Sequence, residues 1–291
     1  MRKIFYILLC SFFYALAVQV PANAGQYAGS KAFIKTGFDH AFNSRISGTD
    51  TEISSRRYSI GGSYSYFTLS YDYTDYSWKK SGDSGLAASS RTPWTGLHRV
   101  SLGARKNFLL SSKWMLNLGG GVNSAFEKEI SDSLGARADF SFIRIFDNGW
   151  TSGVGVIGLY HPVKSRILPI FSLSYATAGD LGLSARIGFP ESMVGYSFNR
   201  HLAARGYVGY SATISRLKNN SPVQDKGYFR DRAIRLGMDL EFKPVRSMSI
   251  ALGPYYIVER KWEIYDKNQR RKQRERIENT PGIRMNLSWN F

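Results

Sequence analysis

From residue 31 to its last residue the chain alternates. In Ile283-Arg284-Met285-Asn286-Leu287-Ser288-Trp289-Asn290-Phe291 every odd position is apolar and every even position polar. Period two is the mark of a β-strand with unlike faces. The pattern recurs at Phe67, Leu69, Tyr71 and Tyr73, at Ala136, Ala138, Phe140 and Phe142, and at Ile234, Leu236, Met238, Leu240 and Phe242. It predicts about fourteen strands, over 31–43, 54–66, 67–78, 96–109, 113–127, 134–146, 150–161, 166–176, 181–189, 192–198, 202–216, 227–243, 247–264 and 280–291. The weakest are 166–176, which contains Pro169, and the short pair 181–189 and 192–198; losing one hairpin gives the alternative count of twelve.

A soluble β-sandwich also alternates, but with shorter strands and more large residues for a core. Here many segments run 10–16 residues and the second face carries Arg, Ser, Gly, Asn, Thr and Asp. That fits lipid outside and a polar interior, where spanning strands take about 9–11 residues. The predicted fold is therefore all-β, a transmembrane antiparallel up-and-down β-barrel. The connections agree. Those after even-numbered strands are tight, as at Asp147-Asn148-Gly149, while those after odd-numbered strands include the long segments 44–53, 79–95, 217–226 and 265–279. Bacterial outer-membrane barrels have short periplasmic turns and longer outer loops, so both termini are expected on the periplasmic side. Aromatic residues are expected as two interfacial girdles. One includes Tyr66, Phe67, Trp114, Trp150, Trp289 and Phe291; the other includes Phe42, Tyr73, Tyr76, Phe126, Tyr160, Phe189, Tyr256 and Trp262.

The first 24 residues read differently. Arg2 and Lys3 precede an apolar run from Ile4 to Val18, Pro21 breaks it, and Ala22-Asn23-Ala24 follows. Charge, apolar core and small-residue site in that order predict a cleaved signal peptide. The run is shorter than the roughly 20 residues of a spanning helix. Residues 25–291 are then a single barrel domain. Cleavage removes Cys10, the one cysteine, so no disulfide or thiolate metal site is expected. The chain has 39 Lys and Arg against 22 Asp and Glu. Its 42 aromatic residues exclude a disordered chain.

With the apolar face outward, the lumen receives Lys35, Asp39, Arg57, Asp72, Arg99, Arg105, Arg137, Asp139, Arg186, Arg205, Arg235, Asp239, Glu241 and Arg284. Nine are basic and five acidic. Such residues form either a salt-bridged lining or the wall of a pore that prefers anions. The segment Asp266–Asn279 adds Lys267, Arg270, Arg271, Lys272, Arg274 and Arg276. On an outer loop the neighbouring polyanion is lipopolysaccharide, not nucleic acid. Its phosphates would attract these cations, together with Lys79, Lys80 and Arg91. A solvated loop tip is the plain alternative.

Chemistry is harder to place. His40 and His98 fall on the outward parity, His161 at a loop edge and His201 in a tight turn, with Ser44 and Ser101 as vague nucleophile partners. A Ser–His site needs a base beside the hydroxyl and a group that orients it, and no spacing here singles one out. No cluster has metal-ligand spacing and no glycine-rich phosphate loop opens a helix. No catalytic residue, metal or cofactor is expected.

The last strand resembles the assembly signal of Gram-negative outer-membrane barrels. The resemblance implies recognition by the barrel-assembly machinery through Ile283, Met285, Leu287, Trp289 and Phe291. Across roughly residues 30–291 the chain also resembles a family of uncharacterised outer-membrane barrels described only as a domain of unknown function. The segment carrying this is Gly188-Phe189-Pro190-Glu191 through Val194, Tyr196 and Phe198, then Arg205-Gly206-Tyr207 and the Leu236-Gly237 strand. It implies an architecture and no activity. Three functional readings follow: a passive channel or transporter for small solutes, with anions as the narrower case; a structural barrel binding lipopolysaccharide through its outer loops; and, third, a lipid hydrolase.

Overall fold

The computed structural model describes residues 32–86, 91–177 and 181–291. The expected signal peptide, Cys10 and the lead-in to the barrel lie outside these residues. Fifteen strands follow in order: β1 (Ala32–Arg45), β2 (Glu52–Tyr64), β3 (Phe67–Lys79), β4 (Gly96–Ser111), β5 (Trp114–Phe126), β6 (Leu134–Ile145), β7 (Trp150–Tyr160), β8 (Arg166–Ala176), β9 (Gly182–Phe189), β10 (Glu191–Ser197), β11 (Leu202–Arg216), β12 (Tyr228–Val245), β13 (Met248–Tyr265), β14 (Arg271–Arg276) and β15 (Thr280–Asn290). Fourteen of them close an antiparallel barrel, because β15 pairs with both β13 and β1. Apart from one parallel bridge between β5 and β11, every other pairing in the ring joins neighbours in sequence, as hairpin connections dictate. The fifteenth, β14, folds back on the upper part of β13, along the same edge that β15 then follows. The segment expected as a plain loop is thus a hairpin extension.

The outward face carries the apolar half of the alternation. Leu102, Val122, Phe140, Val154, Phe171, Val194, Leu240 and Met285 all stand exposed there. Water would not tolerate so continuous an apolar surface; in a bilayer it is the lipid contact, and closure satisfies the backbone.

The ring is uneven. Strands β6 to β10 have 12, 11, 11, 8 and 7 residues, whereas β1 to β5 and β11 to β13 have 13 to 18. At the long-loop end the tall strands converge above the short ones. There Phe126 of β5 pairs in parallel with Arg216 of β11, six strands away, and the Glu127 amide donates to the Arg216 carbonyl at 2.8 Å.

Convergence encloses a core inside the barrel. Trp94, Phe229 and Trp262 are buried with Ile46, Ile53, Tyr76, Leu97, Leu217, Ile264 and Ile277. Trp94 and Phe229 ring centroids are 4.3 Å apart, and Trp94 and Trp262 5.3 Å. This corrects two girdle assignments. Tyr76 shares the inward parity of Asp72. Trp262 turns inward because Glu259 sits at a φ of 53°, beside a register shift between β12 and β13 that reverses the parity of the residues after it.

Candidate functional site: a basic chamber in the lumen

Below that aromatic core the inward side chains surround a cavity of about 530 Å³. Cross-strand register builds it. Asp39 faces Arg57 and Arg284, Arg57 lies next to Asp72 on the neighbouring strand, and Asp72 faces Arg99. Eight of the fourteen expected lumen residues line this cavity: Lys35, Asp39, Arg57, Asp72, Arg99, Arg137, Arg235 and Arg284. Six cations against two acids leave an excess of four positive charges.

The acids are consumed by ion pairs. Arg57 holds Asp72 at 2.8 Å, and Arg235 on β12 reaches Asp39 on β1 at 3.2 Å. Arg284 crosses β13 to hold Asp239, its Nε donating at 2.8 Å. Two guanidinium groups also lie on aromatic faces, Arg284 on Tyr207 at 3.7 Å and Arg235 on Tyr255 at 4.3 Å. Asp72 is buried while the Arg57 side chain stays 40% exposed to the lumen. The surface a solute meets is therefore the cationic one. The Arg99 Nε is buried with no hydrogen-bond partner, as are Arg230 Nη2 and Arg232 Nε. The cross-strand neighbour of Arg99, Asp72, is already held by Arg57.

The remaining expected lumen residues sit elsewhere on the inner wall. Arg105 and Arg137 flank Asp139, the first at 3.0 Å. Arg205 pairs with Glu241 at 2.6 Å, at the tight-turn mouth, where a cavity of about 380 Å³ also exposes Arg200, Lys243 and Arg246. Arg186 pairs with Glu191 at 3.4 Å near the tip of the β9–β10 hairpin. A smaller space of about 160 Å³ lies between the chamber and the aromatic core. There Arg260 binds Asp231 at 2.7 Å. The sequence reading named neither: Asp231 shares the inward parity of Arg235 and Asp239 on β12, and Arg260 lies beyond the bulge at Glu259.

The inner wall is not polar throughout. Register places Leu159 opposite Arg166, Ile157 opposite Leu168 and Gly155 opposite Ile170, all facing inward with Arg137 and Asp139 of β6. Ile157, Leu159, Leu168 and Ile170 thus form an apolar stripe inside the barrel. The expectation of an inner face nearly free of large aliphatics fails here.

At the long-loop end, half of the basic segment's cations are paired. Arg271 lies 3.7 Å from Glu263, Lys272 3.3 Å from Asp266 and Arg276 3.7 Å from Glu259. Lys267, Arg270 and Arg274 are exposed. The backbone amide of Arg270 donates to Asp266 and holds its carboxyl below the ordinary range. Lys79 and Lys80 pair with Glu52 and Asp50, and Arg91 is exposed.

The histidines have other partners than a nucleophile. His98 Nδ1 meets the Tyr71 hydroxyl at 2.8 Å on the outer face, whereas Ser101 points into the chamber. Ser44 Oγ donates to the Ile53 carbonyl, and His201 Nδ1 contacts the Lys243 carbonyl at 2.8 Å. Among the described residues no group of His, Cys, Asp and Glu is arranged to hold a metal ion.

A family model described as a domain of unknown function (DUF6268) matches residues 67–290. The chain belongs to this family. No curated protein matches it in sequence. Among solved structures, the chain is similar to an outer membrane channel from Pseudomonas putida F1, at 7% identity and a TM-score of 0.45, over 94% of this chain and 100% of that one. It is similar to the KdgM porin in complex with disordered oligogalacturonate, at 10% identity and a TM-score of 0.37, over 88% and 99%. The NanC porin gives 9% identity and a TM-score of 0.37, over 89% and 100%.

Proposed function

We propose that this member of the family is a passive channel of the Gram-negative outer membrane that prefers small anions. Its long loops would face outward and its tight turns and termini the periplasm. One observation carries the reading: the chamber of about 530 Å³ in the lumen presents six cations and two acids, with the acids held under guanidinium groups. Low-dielectric walls focus such a charge excess, so anions concentrate in the chamber and cations are repelled. The aromatic core fills the outer end, which gives a closed resting state and makes displacement of that core the opening step. Purified protein in planar bilayers under a KCl gradient tests it. The reversal potential should shift toward the chloride equilibrium value, and the double variant Arg99→Gln, Arg137→Gln should reduce the shift. A reversal potential near zero in the wild type refutes anion preference.

A second reading is favoured by the exposed cations at the outer end. Lys267, Arg270 and Arg274 are exposed on a hairpin anchored to β13, and phosphates of lipopolysaccharide are the matching anions. Reversing all three to Glu should weaken lipopolysaccharide retention at low salt, and unchanged retention removes this contact. Assembly through Ile283, Met285, Leu287, Trp289 and Phe291 belongs to either reading, since the first four form the outward row of β15 and Phe291 follows it, with Ile283, Met285, Trp289 and Phe291 exposed.

A further inference from the structure

We propose that the barrel wall has a side window between β8 and β11, through which an amphipathic anion with one apolar chain passes between the chamber and the outer leaflet. This rests on the channel reading above and adds a route and a substrate class to it.

The window follows from the strand pairing. Strand β8 pairs with β7 from Arg166 onward but meets β9 only from Phe171. Strand β11 pairs with β12 up to Arg216 but with β10 only up to Gly209. Above the short β9–β10 hairpin, residues 166–170 and 211–215 therefore present their facing edges with no strand between them, among the described residues. Five residues of strand give an opening about 16 Å tall. Its sill is the hairpin tip, where the Tyr210 amide donates to the Pro190 carbonyl at 3.0 Å and Phe189 stacks on Tyr210 at 6.2 Å. Its lintel is the 161–165 loop, whose His161 ring meets Tyr228 edge-on at 5.8 Å, beside the Arg216–Phe126 bridge that draws β11 toward β5.

The margins lie at lipid depth, since Ile167 and Phe171 of β8 are exposed outward. Open sheet edges are not tolerated in hydrocarbon unless they border a water-filled or occupied cavity. Pro169 falls on the β8 margin and Pro190 on the sill, and neither has an N–H to leave unpaired.

The lining selects the passenger. The apolar stripe of Ile157, Leu159, Leu168 and Ile170 runs to the β8 margin, and Arg137, one of the chamber's cations, pairs in register with Leu159. A charged head at Arg99 and Arg137 thus lies at one end of a greasy track whose other end is lipid. The axial alternative is filled by Trp94, Phe229 and Trp262.

The test uses the full barrel in liposomes with dodecanoate bearing a diazirine on its terminal carbon. Photolabelling should fall on Leu159, Leu168 and Ile170. Arg137→Gln should reduce it about tenfold, the loss of one charge-assisted hydrogen bond. Leu168→Asn with Ile170→Asn should also reduce it while leaving the reversal potential unchanged. As a measurement that does not depend on those variants, Ser211→Cys on the β11 margin should be protected from maleimide by dodecanoate and not by acetate. Labelling confined to the outward residues Ile167 and Phe171, or located on Trp94 and Trp262, overturns the window even if chloride preference holds. Loss of chloride preference in the wild type overturns the underlying channel reading instead.

Discussion

Replacing Trp262 by Ala should destabilise the long-loop end and raise conductance together. The indole is fully buried, with ring centroids 5.1 Å from Phe229, 5.3 Å from Trp94, 5.7 Å from Trp78 and 6.3 Å from Tyr76, and the Arg260 guanidinium 5.2 Å away. Truncating a fully packed Trp costs about 3–5 kcal/mol in lost transfer energy and cavity formation. The upper part of that range applies here, because Tyr76 and Trp78 on β3 and Phe229 on β12 are fixed to hydrogen-bonded strands and cannot collapse into the void. Trp262→Phe behaves differently. The indole N–H is buried without a partner, so the phenyl ring loses volume but also discards an unpaired donor, and the cost should stay below about 1.5 kcal/mol. Urea titration in lipid vesicles, read by far-ultraviolet circular dichroism, gives the two free energies; planar bilayers give the conductance. Conductance should rise for Trp262→Ala and stay near wild type for Trp262→Phe. If Trp262→Ala loses less than about 1 kcal/mol, or its conductance equals that of the wild type, the aromatic core is neither packed nor the obstruction.

Three further outcomes are expected. Asp231→Asn leaves the buried Arg260 guanidinium without its counter-charge, a loss of about 3–5 kcal/mol, so urea unfolding should shift to lower concentration and Arg260→Met on the same background should recover part of it. His161 is held neutral by burial, its pKa lowered to about 4; a lowered folded-state value contributes stability above about pH 6.5 that is lost as pH falls toward 4. Hydrogen exchange at 161–165, corrected for its intrinsic rate, should therefore accelerate over that window, and a flat profile would exclude His161 as the cause. Deleting Phe291 removes an exposed ring stacked on Trp289 at 6.1 Å, so assembled barrel in cell envelopes should fall while refolding of purified chain into detergent stays near wild type.

Much of the barrel was legible because alternation and hairpin turns are local signals. Strand limits in the structure lie within two residues of those read from periodicity, and the fourteen-strand ring is the one expected. The interior was legible only where parity ran unbroken. Parity runs unbroken through Arg57, Asp72 and Arg99, which line the chamber, and breaks beyond Glu259, where one left-handed residue exchanges the two faces of β13 and turns Trp262 inward. The Arg271–Arg276 strand alternates charge with charge and offers no apolar face, so it read as a loop. Its partner, the upper part of β13, fixes it. The apolar inner stripe left a trace in the near-continuous run Val154, Val156, Ile157 and Leu159, which serves both faces at once. The pairing of β5 with β11 left none, since nothing near Phe126 or Arg216 encodes a partner so remote along the chain.

That remote pairing also sets an order of events during biogenesis. Hairpins can zip one after another as the sheet grows, but Arg216 and Phe126 can meet only after the sheet has curled, because closing so long a loop is entropically costly until other contacts hold its ends. The latch between β5 and β11 is thus a finishing step. A molecule caught before it fastens would have the gap above the β9–β10 hairpin and the long-loop mouth merged into a single cleft, and cleavage by added protease at Lys218 should distinguish that immature form from the latched one.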